Sequence, residues 1–372
     1  MSFSERIFQK LNDIKNANRF RFLKEPSGID FCSNDYLGLA KSKDTINFLK
    51  EGITIYGGGS TASRLIRGHR EIFSTLEENF SNWVNSESTL FLANGFMANI
   101  GLLDAIKDKS TKIFCDRLNH ASILDGIRLS NCDTRYFKHL DMNHLEDLLK
   151  KSSLDDEKII ISETIFSMDG DTANIEELIR LKKTYNCILI LDEAHALGVY
   201  GRGGAGLSNK DGIDPYSDID FRIFTGGKSF GLEGAFISCS QINKDFLINT
   251  LRSFIFTTAP LPAIAHALNK LIPVIRNMNI ERELIYKLSD KLRLFFKENN
   301  YSTGNSSTHI IPVILNDELI TMNLASKLQA NGYDIRGIRP PTVKESRLRI
   351  NVSAHIKETH IDSLCSKFLE LV

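Results

Sequence analysis

The chain has 372 residues, of which 42% are hydrophobic and 25% charged. That is the make-up of a folded globular protein of one large or two moderate domains, and it excludes a fibre or a disordered chain. Its 46 basic and 46 acidic residues cancel without forming a basic stripe, so no nucleic-acid partner is expected. No apolar run reaches the length of a spanning helix, and the charged N-terminus lacks a secretory apolar stretch, so a cytoplasmic protein without a membrane segment is expected.

The first 20 residues carry Phe3, Ile7, Leu11 and Ile14 at helical spacing and predict a helix. From Ile46 to about Pro260, short apolar runs alternate with amphipathic segments. The predicted strands are 88–93, 112–116, 158–162, 187–192, 221–226 and 234–239. They are almost wholly apolar, as strands are when helices cover both faces of a parallel sheet. Between them, 174–185 predicts a helix capped by Asn174. Strand–helix alternation of this kind specifies a doubly wound α/β domain, whose ligands bind at the carboxyl ends of the strands. Beyond Pro262 the pattern changes: two long helices over 262–299, an apolar run at 309–315, a helix over 317–331, two short strand-like stretches and a last helix over 357–371. The expected division is an N-terminal helix and arm over 1–45, a large α/β domain over 46–265 and a smaller α+β domain over 266–372. The six cysteines form no C-x-x-C pair, so they are expected to be reduced, and neither a metal site nor a redox motif is expected.

The strand ends gather the reactive residues. The run 88–93 leads into Asn94-Gly95-Phe96, 112–116 into His120, 158–162 into Glu163 and then Ser167, 187–192 into Asp192 and His195, and 221–226 into Thr225-Gly226-Gly227-Lys228. Each signal has a plain structural reading. Asp192 would serve as a helix cap, His120 as a packed core histidine and Lys228 as a solvated lysine. The segment Gly226–Ser229 is not a phosphate loop, because that motif needs a glycine where Arg222 stands, and Gly57–Ser60 does not follow a strand as a dinucleotide fingerprint does.

Taken together along one sheet edge, the residues supply every part that pyridoxal phosphate requires. Lys228 is the amine for its aldehyde, as a Schiff base, and Asp192 the carboxylate that keeps its ring nitrogen protonated. The turn at Gly95 and Phe96 opens a helix for the phosphate, with Thr225 as a hydroxyl donor. His120 is the partner stacked on the ring and a candidate proton carrier, while His195 and Ser167 bond the phenolic oxygen.

At these residues the chain resembles the α-oxoamine synthases, pyridoxal-phosphate enzymes of fold type I. The similarity lies in the segments 33–40, 56–68, 116–126, 163–171, 191–206 and 224–235. The resemblance implies a large, doubly wound, mostly parallel seven-stranded sheet domain with a smaller α+β C-terminal domain. It implies a homodimer with shared active sites, in which Thr257 and Thr258 reach the partner subunit's cofactor phosphate. It further implies substrate-binding roles for Arg19, Asn34, Ser60, His120, Thr342 and Arg349. Arg349 is the expected clamp for an amino-acid carboxylate, and Arg21 stands close enough to Arg19 in sequence to take its role. The segment 338–343 is similar to the C-terminal substrate motif of the family members that join L-alanine to a pimeloyl thioester. A glycine-using sister synthase forming 2-amino-3-oxobutyrate is the alternative, and coenzyme A and an acyl carrier protein both remain open as the acyl carrier. Glu233, Ala196 and Arg67 depart from the family's usual residues without removing a cofactor contact.

Overall fold

The structure is a computed structural model that describes residues 1–17, 19–21 and 23–372. Seven strands build the main sheet: β1 (Ser88–Leu92), β2 (Thr111–Asp116), β3 (Asp133–Phe137), β4 (Glu157–Glu163), β5 (Cys187–Asp192), β6 (Phe221–Thr225) and β7 (Ala235–Cys239). They lie in the order β1-β7-β6-β5-β4-β2-β3, and only β7 runs antiparallel to its neighbours. The apolar runs explain the layering. Successive side chains of a strand point to opposite faces, so Leu90, Ile159, Ile161 and Ile190 enter one core, whereas Phe91, Ile160, Leu189 and Leu191 enter the cores of the other face. Each such side chain taken fully out of water contributes roughly 1.5–3 kcal/mol.

Six of the seven strands coincide with predicted runs; β3 does not. It pairs only with β2 at the edge of the sheet, and of its five residues only Phe137 is buried, so it never shows the apolar run of a central strand.

The helices that matter for the site follow β1 and β2. α2 (Gly95–Ile106) begins where Asn94 caps it, and α3 (Ala121–Ser130) begins where His120 caps it. Ahead of them, α1 (Phe3–Asn16) starts on a capping box of Ser2 and Glu5 and buries none of its residues. The helix expected over the first 20 residues therefore stops short, and Asn18 within that span lies outside the described residues. α4 (Ile175–Tyr185) is capped by Asn174, whose side chain accepts from the Glu177 N–H at 3.1 Å, as its sequence predicts.

The C-terminal part follows its pattern closely. α5 (Pro262–Arg276) and α6 (Asn279–Glu298) precede an antiparallel sheet of β8 (Ile310–Ile314), β9 (Arg336–Ile338) and β10 (Arg347–Asn351), with β10 in the middle. α7 (Glu318–Ala330) and α8 (Glu358–Leu371) join α6 over this sheet, around Leu288, Leu324, Leu348 and Leu364. Phe31 belongs to this same core, because Ile29–Asp30 pairs in parallel with Tyr333–Asp334 and draws the N-terminal arm across. Among the described residues all six cysteines are free thiols. Cys115, Cys187 and Cys239 are buried and the other three half-buried, so only part of the set lies in the cores. No helix among the described residues is long and apolar enough to cross a membrane.

Candidate active site

The carboxyl ends of β1, β2, β4, β5 and β6 converge on one edge, where the sequence places its reactive residues. Asp192 closes β5 and is buried. Its Oδ1 accepts from the Ala194 N–H at 2.9 Å and its Oδ2 from Asn99 Nδ2 at 2.8 Å, and it has no ion-pair partner among the described residues. It caps no helix, so its plain structural reading fails. Lys228 follows β6 on the turn Gly226–Gly227. Its Nζ makes no hydrogen bond or ion pair among the described residues. Burial lowers the amine to about 8 against the pull of Asp192 and Glu163, with Arg349 pressing it further down. These effects place the amine, both carboxylates and the guanidinium in one electrostatic neighbourhood.

His120 has two functions in the fold. Its ring caps α3 by accepting the Ser122 N–H at Nδ1 (3.2 Å), and Nδ1 also lies 2.8 Å from Ser122 Oγ. Its own N–H donates to Glu163 Oε1 at 2.6 Å. Burial lowers its basicity, opposed by Asp192 and assisted by Lys228. Glu163 closes β4 in register with Asp192 on β5, and burial followed by the nearby Asp192 charge holds its carboxyl well above the usual range.

His195 is buried, and its Nδ1 lies 2.6 Å from the Tyr36 hydroxyl, which in turn reaches Asn34 Oδ1 at 3.0 Å. Burial and then the nearby Lys228 charge hold the ring far below its usual basicity, so it is neutral. Asn34 Oδ1 also receives Arg349 Nη2 at 3.3 Å, and Arg349 Nε donates to the Ser167 carbonyl at 2.6 Å. Two residues earlier on β10, Arg347 Nη1 holds Asp169 Oδ1 at 2.6 Å. The small sheet thus grips the loop that follows β4 and brings Ser167 and Arg349 together.

Gly95, Phe96 and Thr225, the residues expected at the cofactor phosphate, lie where α2 begins beside the end of β6. Gly95 opens α2, where the first N–H groups of a helix have no partner within it. A side chain at Gly95 would stand 3.7 Å from Thr225 Cβ, so the helix start and the end of β6 are neighbours. Thr225 Oγ1 accepts from the Gly227 N–H at 3.1 Å.

The remaining expected residues are dispersed. Ser60 is buried and donates to the Pro260 carbonyl at 2.6 Å, two residues beyond Thr258. Thr257 is half-buried and Thr258 exposed, and Thr257 Oγ1 contacts only the Thr258 carbonyl, at 3.4 Å. Thr342 is exposed and receives Arg21 Nη2 at 3.3 Å, while Arg19 lines a cavity with Leu11, Ile14 and Pro340. Arg21, and not Arg19, is the arginine that the structure joins to Thr342.

Sequence reasoning missed Asn99, Ser122 and Tyr36 and passed over Glu163. Position was the one signal each carried, too weak by itself for Asn99 and Ser122: Asn99 stands four residues beyond Gly95 on the same helix face, Ser122 two residues beyond His120, Tyr36 inside the segment 33–40, and Glu163 ends its strand as Asp192 does.

This set fits pyridoxal phosphate. It holds a buried carboxylate without a cation partner, an amine made basic only to about 8, a helix start beside a hydroxyl, and a buried Asn99 Oδ1 with no partner among the described residues.

Comparison with known proteins agrees. A family model described as aminotransferase class I and II matches residues 26–368. A relative from Bacillus cereus (strain AH820), named "Putative 8-amino-7-oxononanoate synthase", is 40% identical over 332 residues, covering 88% of this chain and 83% of its own length. The solved serine palmitoyltransferase of Sphingomonas wittichii is 24% identical, with a TM-score of 0.91 over 99% of this chain and 96% of its own, and shows the same fold. The 8-amino-7-oxononanoate synthase (bioF) of Francisella tularensis is 27% identical, with a TM-score of 0.81 over 93% of this chain and 99% of its own. The chain belongs to the class I and II aminotransferase family and, within it, to the α-oxoamine synthases, which are pyridoxal-phosphate-dependent acyltransferases of fold type I.

Proposed function

We propose that this synthase condenses L-alanine with a pimeloyl thioester, releasing carbon dioxide and the carrier thiol and forming 8-amino-7-oxononanoate for biotin synthesis. The observation that carries the substrate choice is the 40% identity over most of the chain to the relative of that name, supported by the segment 338–343.

In this reaction a bond forms between the alanine α-carbon and the thioester carbonyl carbon, the carbon–sulfur bond breaks, and the alanine carboxylate leaves as carbon dioxide. Bound, the cofactor supplies an aldehyde and an electron-withdrawing pyridine ring. The chain supplies position and charge. Arg349 grips the incoming carboxylate through its guanidinium, already oriented by Ser167 and Asn34. Lys228 Nζ, uncharged in a useful fraction near neutral pH because burial lowers it to about 8, takes the α-proton and returns one at the end. Asp192, held by Asn99 and the Ala194 N–H, keeps the ring nitrogen protonated. His195, with Nδ1 engaged by Tyr36, leaves Nε2 for the phenolic oxygen, and Ser167 would bond the same oxygen. His120 would cover the ring face and donate to the acyl carbonyl. Gly95, Phe96 and Thr225 hold the phosphate, joined across a dimer interface by Thr257 and Thr258. Ser60, Thr342 and Arg19 or Arg21 line the acyl approach. The acyl carrier is coenzyme A or an acyl carrier protein, and the enzyme works as a homodimer in the cytoplasm.

The test is a panel of L-alanine, glycine and L-serine against pimeloyl and acetyl thioesters, read by product mass. The proposal requires the alanine–pimeloyl product to dominate. Preferential turnover of glycine with acetyl thioester would replace it with the sister activity.

A further inference from the structure

We propose that Asn99 and Ser122 are positioning residues that hold His120 as its neutral Nε2–H tautomer, so that this histidine serves the reaction as a hydrogen-bond donor and not as a base. The inference rests on the reading of Lys228, Asp192 and His120 as the cofactor site.

The Ser122 main-chain N–H always carries its hydrogen, and it lies 3.2 Å from His120 Nδ1, which must therefore present a lone pair. Ser122 Oγ, 2.8 Å from the same Nδ1, receives a hydrogen from Asn99 Nδ2 at 3.0 Å, which leaves its own hydrogen free for Nδ1. The second hydrogen of Asn99 Nδ2 goes to Asp192 Oδ2 at 2.8 Å. Flipping the Asn99 amide would set its oxygen against that carboxylate oxygen, two acceptors face to face, so the amide orientation is decided. Asn99 Oδ1 is buried without a partner among the described residues, so no contact there competes for the orientation of the amide. A single amide thus feeds two acceptors. It orients the carboxylate assigned to the ring nitrogen, and through Ser122 it loads Nδ1 of the histidine assigned to the ring face. The only proton position left on a neutral His120 is Nε2.

The charged surroundings agree. Asp192 from the end of β5 favours an imidazolium, but both of its oxygens already accept hydrogens from Ala194 and Asn99. Lys228 from the end of β6 opposes a second positive charge, as does burial. Glu163 from the end of β4 accepts the His120 main-chain N–H, so one of its oxygens is engaged away from the ring. The close approach of α3 to α2 that makes the relay possible depends on Gly126, where a Cβ would stand 2.9 Å from the Asn99 carbonyl oxygen. With Nδ1 committed, proton removal at the substrate falls to Lys228.

Holoenzyme labelled with 15N-histidine tests this without any substrate, the His120 signals being those lost in His120→Asn. The wild-type ring should show one protonated and one bare nitrogen at about pH 7, with Nε2 the protonated one. Asn99→Ala and Ser122→Ala should each raise the proton affinity of the ring by about tenfold, so that the imidazolium persists about one pH unit higher than in the wild type. Ser122→Thr should restore the wild-type pattern, which a packing defect at this position would not do. Asn99→Ala should in addition weaken cofactor binding, whereas Ser122→Ala should leave it near wild type. An imidazolium or an Nδ1–H form in the wild type near pH 7, or unchanged His120 signals in both alanine variants, would overturn the proposal. Failure of the alanine–pimeloyl assignment would leave these spectra untouched, so the two outcomes can be told apart.

Discussion

Burial brings the Lys228 amine down to about 8, with Asp192 and then Glu163 pulling it back up. Below that pH the amine is charged and not nucleophilic. Cofactor capture by the stripped protein should therefore accelerate as pH rises and level off above a midpoint near 8, where an ordinary lysine would keep gaining toward 10.4. Stopped-flow absorbance of cofactor uptake measures this, and a midpoint near the ordinary value would contradict the environment described. The stability linkage has the same sign. A lysine depressed on folding destabilises the native state while it is charged, and the penalty fades only as pH rises through about 8. At this scale Lys228, Asp192, His120 and His195 were legible because each stands at the end of an apolar run or within four residues beyond it and its side-chain chemistry is distinctive. Asn99 and Ser122 were not, because an amide and a hydroxyl inside helices have many ordinary uses, and only the meeting of α2 and α3 gives them this one.

Two contacts between elements govern how well the strand ends are held together. His139, just beyond β3, donates to Asp116 at the end of β2 (3.0 Å) and to Asp171 in the loop after β4 (3.0 Å). Burial works against its protonation, but the hydrogen bonds to Asp116 and Asp171 prevail and raise it to about 10. A histidine raised on folding stabilises fully below its unfolded value near 6.5, and that contribution is lost as pH rises through about 10. His139→Gln should cost about 3–5 kcal/mol near neutral pH by leaving two buried carboxylates facing each other. The deficit should shrink toward pH 10, as urea unfolding at several pH values would reveal. The other contact is at Gly126. A methyl group there would press on Asn99 and Ile100 of α2. Gly126→Ala should therefore cost about 1–3 kcal/mol and also weaken cofactor affinity, read by fluorescence titration; a loss of stability without loss of affinity would separate this contact from the site. Neither contact was legible in the sequence. His139 draws its partners from two different strand ends, and β3 before it is a polar edge strand without an apolar signature.

Across the whole molecule, the doubly wound sheet was legible because strands buried on both faces must be apolar throughout, and six of the seven stood out for that reason. The return of Phe31 and Ile29 to the C-terminal core was not, since a short parallel pairing across some 300 residues leaves no local pattern. Large apolar side chains remain on the surface of the single chain: Ile66 is 82% and Phe256 71% exposed, the latter directly before Thr257 and Thr258. Such a surface next to the proposed phosphate contacts predicts a solution mass twice that of one chain by light scattering, and a fully active monomer would contradict shared active sites.

The identity of the amine that carries the cofactor decides whether Lys228 and Asp192 form one site. Holoenzyme reduced with borohydride, digested and analysed by peptide mass spectrometry should carry the pyridoxyl group on Lys228 alone, and the Lys228→Ala variant should carry none. A stable label on a different lysine in the wild-type protein would contradict the site built here from Lys228 and Asp192.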